Sequence, residues 1–454
     1  MIPDDLWLWL GRCSAILAVV VTGIVLLPGL FQPTYFRRHF FFLFYVAIVC
    51  IYLQVAPALA QMGAPPATVF VYRIPQIQEY REQYGWLQVW ALLAFQLPLL
   101  AAYFASLRPA TGSVVVGHRI RARVLALVMT LFALSFVAVM LRHQLWYLRL
   151  GDALTARLLE LPALEFAIFR LFQECGLFIV GLTLFAWRFS DGATRHWCRV
   201  AFVTVTAVFG AFNLLNSRWF VISLLVCLVG WFVASTPAVS YRAHVKRLTS
   251  LALVAVMAVY LSVVVVNVRN ARDGVGLTTL LPLQGGMFAD TQGINRLDCI
   301  DLMARLQRPL NEQGPALFRS WGQVTWLVWR FIDPDGFDRY RLTRQTTAKS
   351  YLMREYLGID VTDYFSCTAT DLYGNFNLPG LLVGALLLGG LFAWATTTLA
   401  APRGGTALVL AIFAMTQIVI FDQEAVFTFF GWIRKVPVLL VAVALRPFSG
   451  APRA

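Results

Sequence analysis

The sequence predicts an all-α polytopic membrane protein, with about 11 transmembrane helices and one large folded extracytoplasmic loop. Three observations predict it. Hydrophobic residues make up 59% of the 454 residues and charged residues 13%, against about 45–50% and about 25% in soluble domains. Apolar runs near the length needed to cross a bilayer, about 20 residues, recur along the chain. The acids are gathered in one segment between such runs. The first observation excludes an ordinary soluble enzyme. Aromatic content of 14%, with 31 Gly and 20 Pro, excludes a disordered chain.

The runs fall at 8–29, 39–60, 86–106, 122–141, 164–187, 199–216, 219–238, 249–268, 376–400, 404–421 and 430–447. The last has Arg434 and Lys435 inside its start. The first is long for a leader and has no small-residue cleavage site, so it reads as an anchor. Eight helices thus occupy residues 1–268, the loop 269–372, and three helices 373–454.

Basic residues in alternate short loops set the orientation. Arg37 and Arg38 follow the first run, and Arg108, Arg119 and Arg121 lie between the third and fourth. Arg188 and Arg195 follow the fifth, Arg242, Lys246 and Arg247 the seventh, and Arg403 the ninth. Asp191 is nearly the only acid among them. The other set begins at Met1–Asp5 with two acids and no base, then mixes both signs in 62–85 and 142–163. The alternation predicts an N-terminus outside and a C-terminus inside, and it requires an odd number of crossings.

Residues 269–372 hold 12 Lys/Arg and 12 Asp/Glu, more than half of the chain's 23 acids. Trp321, Trp326, Trp329, Phe331, Tyr340, Tyr351 and Tyr356 give this loop a composition that can bury surface. Short helices are predicted near 297–307, 316–331 and 343–357. Its two cysteines, Cys299 and Cys367, face an oxidising compartment and are expected to form a disulfide. Closing their 68-residue separation would contribute roughly 4 kcal/mol on the chain-entropy model.

The net charge is +14, and of 37 basic residues only Lys246, Lys349 and Lys435 are lysines. Two readings of this arginine bias stand together: bidentate recognition of phosphate or carboxylate, and a GC-rich genome. Polar groups collect at the outer ends of the runs. They include Asn216-Ser217-Arg218, the stretch Asn267 to Asp273, the segment Asp333 to Asp338 with Arg339, Arg341 and Arg344, the segment Asp371 to Asn377, and the last outer turn with Asp422, Glu424, Arg434 and Lys435. Singly, each charge is a solvated or snorkelling boundary group. Together they favour an outward site for an anion. Arg170 and Glu174, with Gln173 beside them, share a face of the fifth run, as a structural ion pair or as cavity lining.

Several chemistries drop out. The histidines are His39, His118, His143, His196 and His244, no two at metal-ligand spacing, and the acids form no metal box. No Gly-rich phosphate loop is present. No internal repeat is visible, which weakens a transporter of inverted halves. Basic charge in a soluble protein suggests nucleic acid, but the apolar runs take precedence here.

Asn216-Ser217-Arg218-Trp-Phe-Val-Ile-Ser-Leu-Leu resembles a stretch of the bacterial polysaccharide repeat-unit polymerases (O-antigen polymerase, Wzy-type), where Ser or Thr and then Arg lead into an apolar span. Thr370-Asp-Leu-Tyr-Gly-Asn-Phe-Asn-Leu-Pro-Gly380 is similar to that family's aromatic, Asn-Phe-Gly start of a late span, with Asn377 where the family has Gly. Phe331-Ile-Asp-Pro resembles its Pro-bearing stretch upstream. The motifs cover about 40 residues; the architecture covers most of the chain.

The resemblance implies a GT-C-like membrane glycosyltransferase of lipopolysaccharide or other surface polysaccharide biosynthesis. Its donor and acceptor would be oligosaccharides on undecaprenyl diphosphate, with no cofactor and no metal. Membrane lipids and a chain-length regulator protein are the other partners implied, and nucleic acid is not one. Cations would stabilise the leaving diphosphate, and a carboxylate would receive the hydroxyl proton. Arg218 is the expected catalytic cation, with Glu424 or Asp371 as base. Arg142, Arg269, Arg272, Arg339, Arg341, Arg344, Tyr373, Asn375 and Arg434 are the expected substrate contacts, Arg269 on the diphosphate. The alternatives are an O-antigen ligase acting on lipid A core and a non-catalytic export or flippase component. That ligase family carries a His in its outer loop, which this loop does not have.

Overall fold

The computed structural model describes residues 4–63, 81–108, 114–145, 160–216, 218–235, 240–270, 299–317, 352–358, 367–402, 404–419 and 425–451. These residues are helical almost throughout. The helices are α1 (Asp4–Phe31), α2 (Pro33–Cys50), α3 (Ala56–Gly63), α4 (Arg81–Trp90), α5 (Leu97–Ser106), α6 (Arg119–Arg142), α7 (Ala163–Phe189), α8 (Gly192–Asn216), α9 (Arg218–Ser235), α10 (Tyr241–Asn270), α11 (Cys299–Gln313), α12 (Thr368–Ala400), α13 (Gly405–Ile418) and α14 (Ala425–Leu445). Each predicted apolar run falls on a helix. Among the described residues six spans are long and apolar enough to cross a membrane: Leu6–Phe31, Pro33–Leu59, Gln83–Ser106, Arg119–Arg142, Ala163–Phe189 and Thr368–Ala400.

One departure from an all-helical chain is a two-stranded antiparallel ribbon. Strand β1 (Val114–Gly117) pairs with β2 (Phe448–Ala451), Val114 opposite Ala451 and Gly117 opposite Phe448. Both strands lie outside the eleven apolar runs. The ribbon ties the segment before α6 to the one after α14, and His118 N–H donates to Pro447 O (2.8 Å).

Two of the spans contain a widened π turn, at Ile51–Val55 between α2 and α3 and at Ala91–Gln96 between α4 and α5. A lipid-embedded backbone must satisfy its polar groups within the protein, and buried glutamines do so here. Gln54 Nε2 donates to Gln88 O (3.1 Å) and Gln88 Nε2 to Gln54 O (3.0 Å), while Gln96 Nε2 donates to Thr22 Oγ1 (2.9 Å). Small residues let the backbones meet. A Cβ on Gly85 would stand 2.2 Å from Trp7 O, and one on Gly389 2.5 Å from Leu99 O. Elsewhere the core is aromatic: Phe42 stacks on Tyr103, and Phe136, Phe169, Phe172, Phe209 and Phe212 pack where α6, α7 and α8 meet. By contrast α1 leaves Trp9, Ile16, Val20 and Ile24 exposed, a face suited to lipid.

Contacts between helix ends sort into two sets. At one end His244 Nε2–H donates to Gly29 O (3.0 Å), Arg37 to Ala234 O (3.3 Å), Arg38 to Arg108 O, and Arg123 Nε to Thr194 Oγ1 (2.9 Å). The ribbon lies at this same end, where a Cβ on Gly405 would meet Phe448 O. At the other end Arg142 and His143 reach Glu165, and Ala316 and Leu317 reach α12.

Candidate functional site

The end opposite the ribbon is built around a break in α12. Asn377 has φ 58° and ψ −152°, so Thr368–Ala400 is two helices joined across a kink. That conformation is strained for a residue with a Cβ. Asn relieves part of the strain, because Leu378 N–H donates to its own neighbour's Oδ1 (Asn377, 2.9 Å). In an unbroken helix that N–H would serve Gly374 O, and Pro379 has no N–H to offer Asn375 O. The segment after α11 supplies both missing donors: Ala316 N–H to Gly374 O (3.0 Å) and Leu317 N–H to Asn375 O (3.1 Å).

The chain reaches that position by a tight turn. Gly314, at φ 78°, ends α11 with its N–H on Leu310 O (2.9 Å), the left-handed stop that glycine makes without steric cost. Tyr356 OH donates to Gly314 O (3.0 Å), and Leu352 packs where Gly374 has no Cβ. Helix α11 lies against α12 and α4 with Cys299, Leu302, Met303 and Leu306 buried, and its Arg305 is buried in an i,i+4 pair with Asp301 (3.0 Å). The short helix expected near 297–307 is therefore present and longer. The one expected over 343–357 has its described part as a π turn, Leu352–Tyr356. The one expected at 316–331 lies almost wholly outside the described residues.

Asp371, Tyr373 and Asn375 are buried, at 2%, 1% and 0% exposure. Asn375 Nδ2 donates to Asp371 Oδ1 and to Asp371 O, both at 2.9 Å. All three were expected at a substrate site where the ninth run is entered. They sit inside the helix N-terminal to the break, and the Asp371 carboxylate is engaged in fixing it. The disulfide expected between Cys299 and Cys367 is not formed; both are buried thiols. Cys367 is the residue before α12, with its Sγ 3.3 Å from Thr370 Oγ1, and Cys299 is the first residue of α11.

A second polar group joins α6 to α7. Glu165 is held by Arg142 Nη1 (2.6 Å) and by the ring of His143. Arg142, expected on substrate, is thus an ion-pair partner at the end of α6, with its side chain 71% exposed. The sequence reading did not single out Glu165; only the return of the chain after α6 brings it to residues 22 and 23 positions earlier. Deeper in the same helix, Arg170 Nη1 donates to Gln173 Oε1 (3.3 Å) and its guanidinium lies over Phe166 (5.8 Å). From α14, Lys435 Nζ donates to the buried Gln417 at the end of α13. Charged side chains within apolar helices are costly in lipid and mark a protein-lined space.

The remaining expected residues are placed only in part. Arg218 opens α9, two positions after α8 ends at Asn216, and Ser217 between them lies outside the described residues. Arg269 lies in the last turn of α10 and Arg434 inside α14. Arg272, Arg339, Arg341, Arg344 and Glu424 lie outside the described residues. Among the described residues no group of three His, Cys, Asp or Glu side chains is placed to hold a metal ion. No protein-family model matches the chain, and no curated protein or solved structure matches it.

Proposed function

We propose that the chain is a membrane glycosyltransferase that polymerises undecaprenyl-diphosphate-linked oligosaccharide repeat units on the outer face of a bacterial inner membrane. The observation that carries this reading is the break at Asn377. The motif resembling the polymerase family has Gly at that position, and the structure gives Asn377 a backbone conformation natural to glycine. A glycine-like backbone at the position where the family has Gly supports this reading. In this reading the chain crosses the membrane eleven times, with the α11 end outside and the ribbon end in the cytoplasm.

The chemistry asks little of the protein beyond position and charge. The acceptor hydroxyl oxygen bonds to the anomeric carbon of the donor sugar, the carbon–oxygen bond to the lipid diphosphate breaks, and the diphosphate leaves with the electron pair. Arg218 and Arg269, at the outer ends of α9 and α10, stabilise that developing charge. Because the carboxylate of Asp371 is buried on Asn375, Glu424 is the stronger choice to receive the hydroxyl proton. No residue of this account is a metal ligand, so activity of the purified protein should withstand chelation.

Deleting the gene and resolving surface polysaccharide on a gel tests the function. Loss of the long-chain ladder, with single-repeat capping retained, supports a polymerase. Loss of all glycan on lipid A core identifies a ligase, and repeats accumulating on the cytoplasmic side identify an export component.

A further inference from the structure

At the ribbon end, Arg37 on α2 and Arg188 on α7 both lie against the last turn of α9, on Ala234 O and the Phe232 ring, with Arg195 on α8 and Arg247 on α10 as their charged neighbours. Arg247 lies close enough to both Arg37 and Arg188 for their charges to interact, as does Arg195 to Arg188. The segments joining the helices at this end contain a single acid, Asp191. Like charges gathered in one place are unfavourable unless an anion accompanies them.

Two of the guanidiniums are fixed in position. Arg37 Nε and Nη2 both donate to Ala234 O at 3.3 Å, near the end of α9. The Arg188 guanidinium lies 5.0 Å from the centre of the Phe232 ring. Phe232 is itself 45% exposed, so an apolar surface continues directly from the cations. Arg37 is near the start of one apolar span and Arg188 near the end of another. That is the depth at which headgroup phosphates meet the hydrocarbon boundary.

We propose that Arg37, Arg188, Arg195 and Arg247 form a binding site for the headgroup of one anionic phospholipid, with its glycerol and upper acyl carbons against Phe232. Preorganised guanidiniums present paired N–H groups to phosphate oxygens. The exposed ring beside them selects a lipid over a free anion. This site is separate from the outer end and holds whichever reaction the chain performs.

The test is native mass spectrometry of the full-length protein titrated with cardiolipin, and with phosphatidylcholine as the neutral comparison. Cardiolipin should be retained at concentrations where phosphatidylcholine is not. An arginine that engages the headgroup directly is worth roughly fivefold in affinity for anionic lipid. The double variant Arg188→Gln/Arg247→Gln should therefore weaken cardiolipin binding by about twenty-five-fold. Arg119→Gln/Arg121→Gln removes the same charge from exposed positions at the same end and should leave binding within about twofold. Equal losses in the two variants, or none in the first, overturn the proposal in favour of diffuse attraction. Displacement of the lipid by equimolar inorganic pyrophosphate overturns it in favour of a soluble anion. Should the double variant fail to fold, Arg195→Gln alone, at an exposed position, decides: about fivefold weaker binding supports the site, and unchanged binding sinks it.

Discussion

The two ends of the helix bundle use charge in opposite ways. At the α11 end, cations and acids are mixed. Arg142 and His143 share Glu165, Arg305 is buried against Asp301, and Asp371 is bound to Asn375. At the ribbon end, arginines stand almost without acids and settle on carbonyls and aromatic rings, as Arg37 does on Ala234 and Arg188 on Phe232. Total charge alone does not distinguish a binding end from an orienting one. The first end spends polar groups on holding a broken helix and an ordered segment together. The second gathers cations with a single acid, Asp191, in the segments that join its helices.

Four experiments would break or sharpen that contrast. The largest expected effect is Arg218→Ala, which should abolish chain growth at normal expression. Arg218→Lys should restore it only in part, because an ammonium replaces a bidentate fork. Neutralising the exposed Arg121 at the ribbon end should leave polymer length unchanged. Wild-type polymer from Arg218→Ala would remove the outer end's claim to the chemistry.

Next is the helix break. Asn377→Val places a β-branched residue at φ 58° and removes the Oδ1 acceptor for Leu378 N–H. It should cost about 1–3 kcal/mol in thermal or denaturant unfolding and shorten the polymer. Asn377→Gly should stay within about 1 kcal/mol of the parent and polymerise normally. Equal stability of the Val and Gly variants would show that the kink does not constrain the protein.

A smaller effect is expected at the junction of α6 and α7. Glu165→Gln leaves the exposed Arg142 in water and should cost on the order of 1 kcal/mol or less, read as a modest drop in melting temperature that narrows at high salt. A loss of several kcal/mol would mean that this cluster is far more closed than its exposure indicates. Smallest of all is the thiol pair. Denatured but unreduced protein should show Cys299 and Cys367 both alkylated in peptide mass spectrometry. Recovery of the two peptides joined by a disulfide would contradict the arrangement described here.

Much of the architecture was legible in sequence because its cause is local and repetitive. Runs of Leu, Val, Ala and Phe near membrane length can satisfy their backbone in lipid only as helices, and each predicted run is helical. The interruption at Asn216-Ser217-Arg218 was legible for the same reason, since polar residues separate two such runs there, and α8 ends and α9 begins at that point. The motif around Asp371 was visible too, but its use was not. Whether a Tyr, Asp or Asn faces a site or fills a core depends on which segment packs over it. Here the backbone of Ala316 and Leu317, more than fifty residues upstream, closes over Gly374 and Asn375.

The sequence by itself determined that this is a helical membrane protein with its acids gathered toward one set of loops, because hydropathy and the cost of unpaired backbone act on each segment alone. Only the tertiary structure decided which polar groups meet. It bound Glu165 to Arg142 and His143, buried Asp371 on Asn375, paired β1 with β2, kept Cys299 and Cys367 as thiols, and set Arg37 and Arg188 against the last turn of α9. Those outcomes turn on distances of a few ångströms between residues far apart in the chain, and no local pattern encodes a distance of that kind.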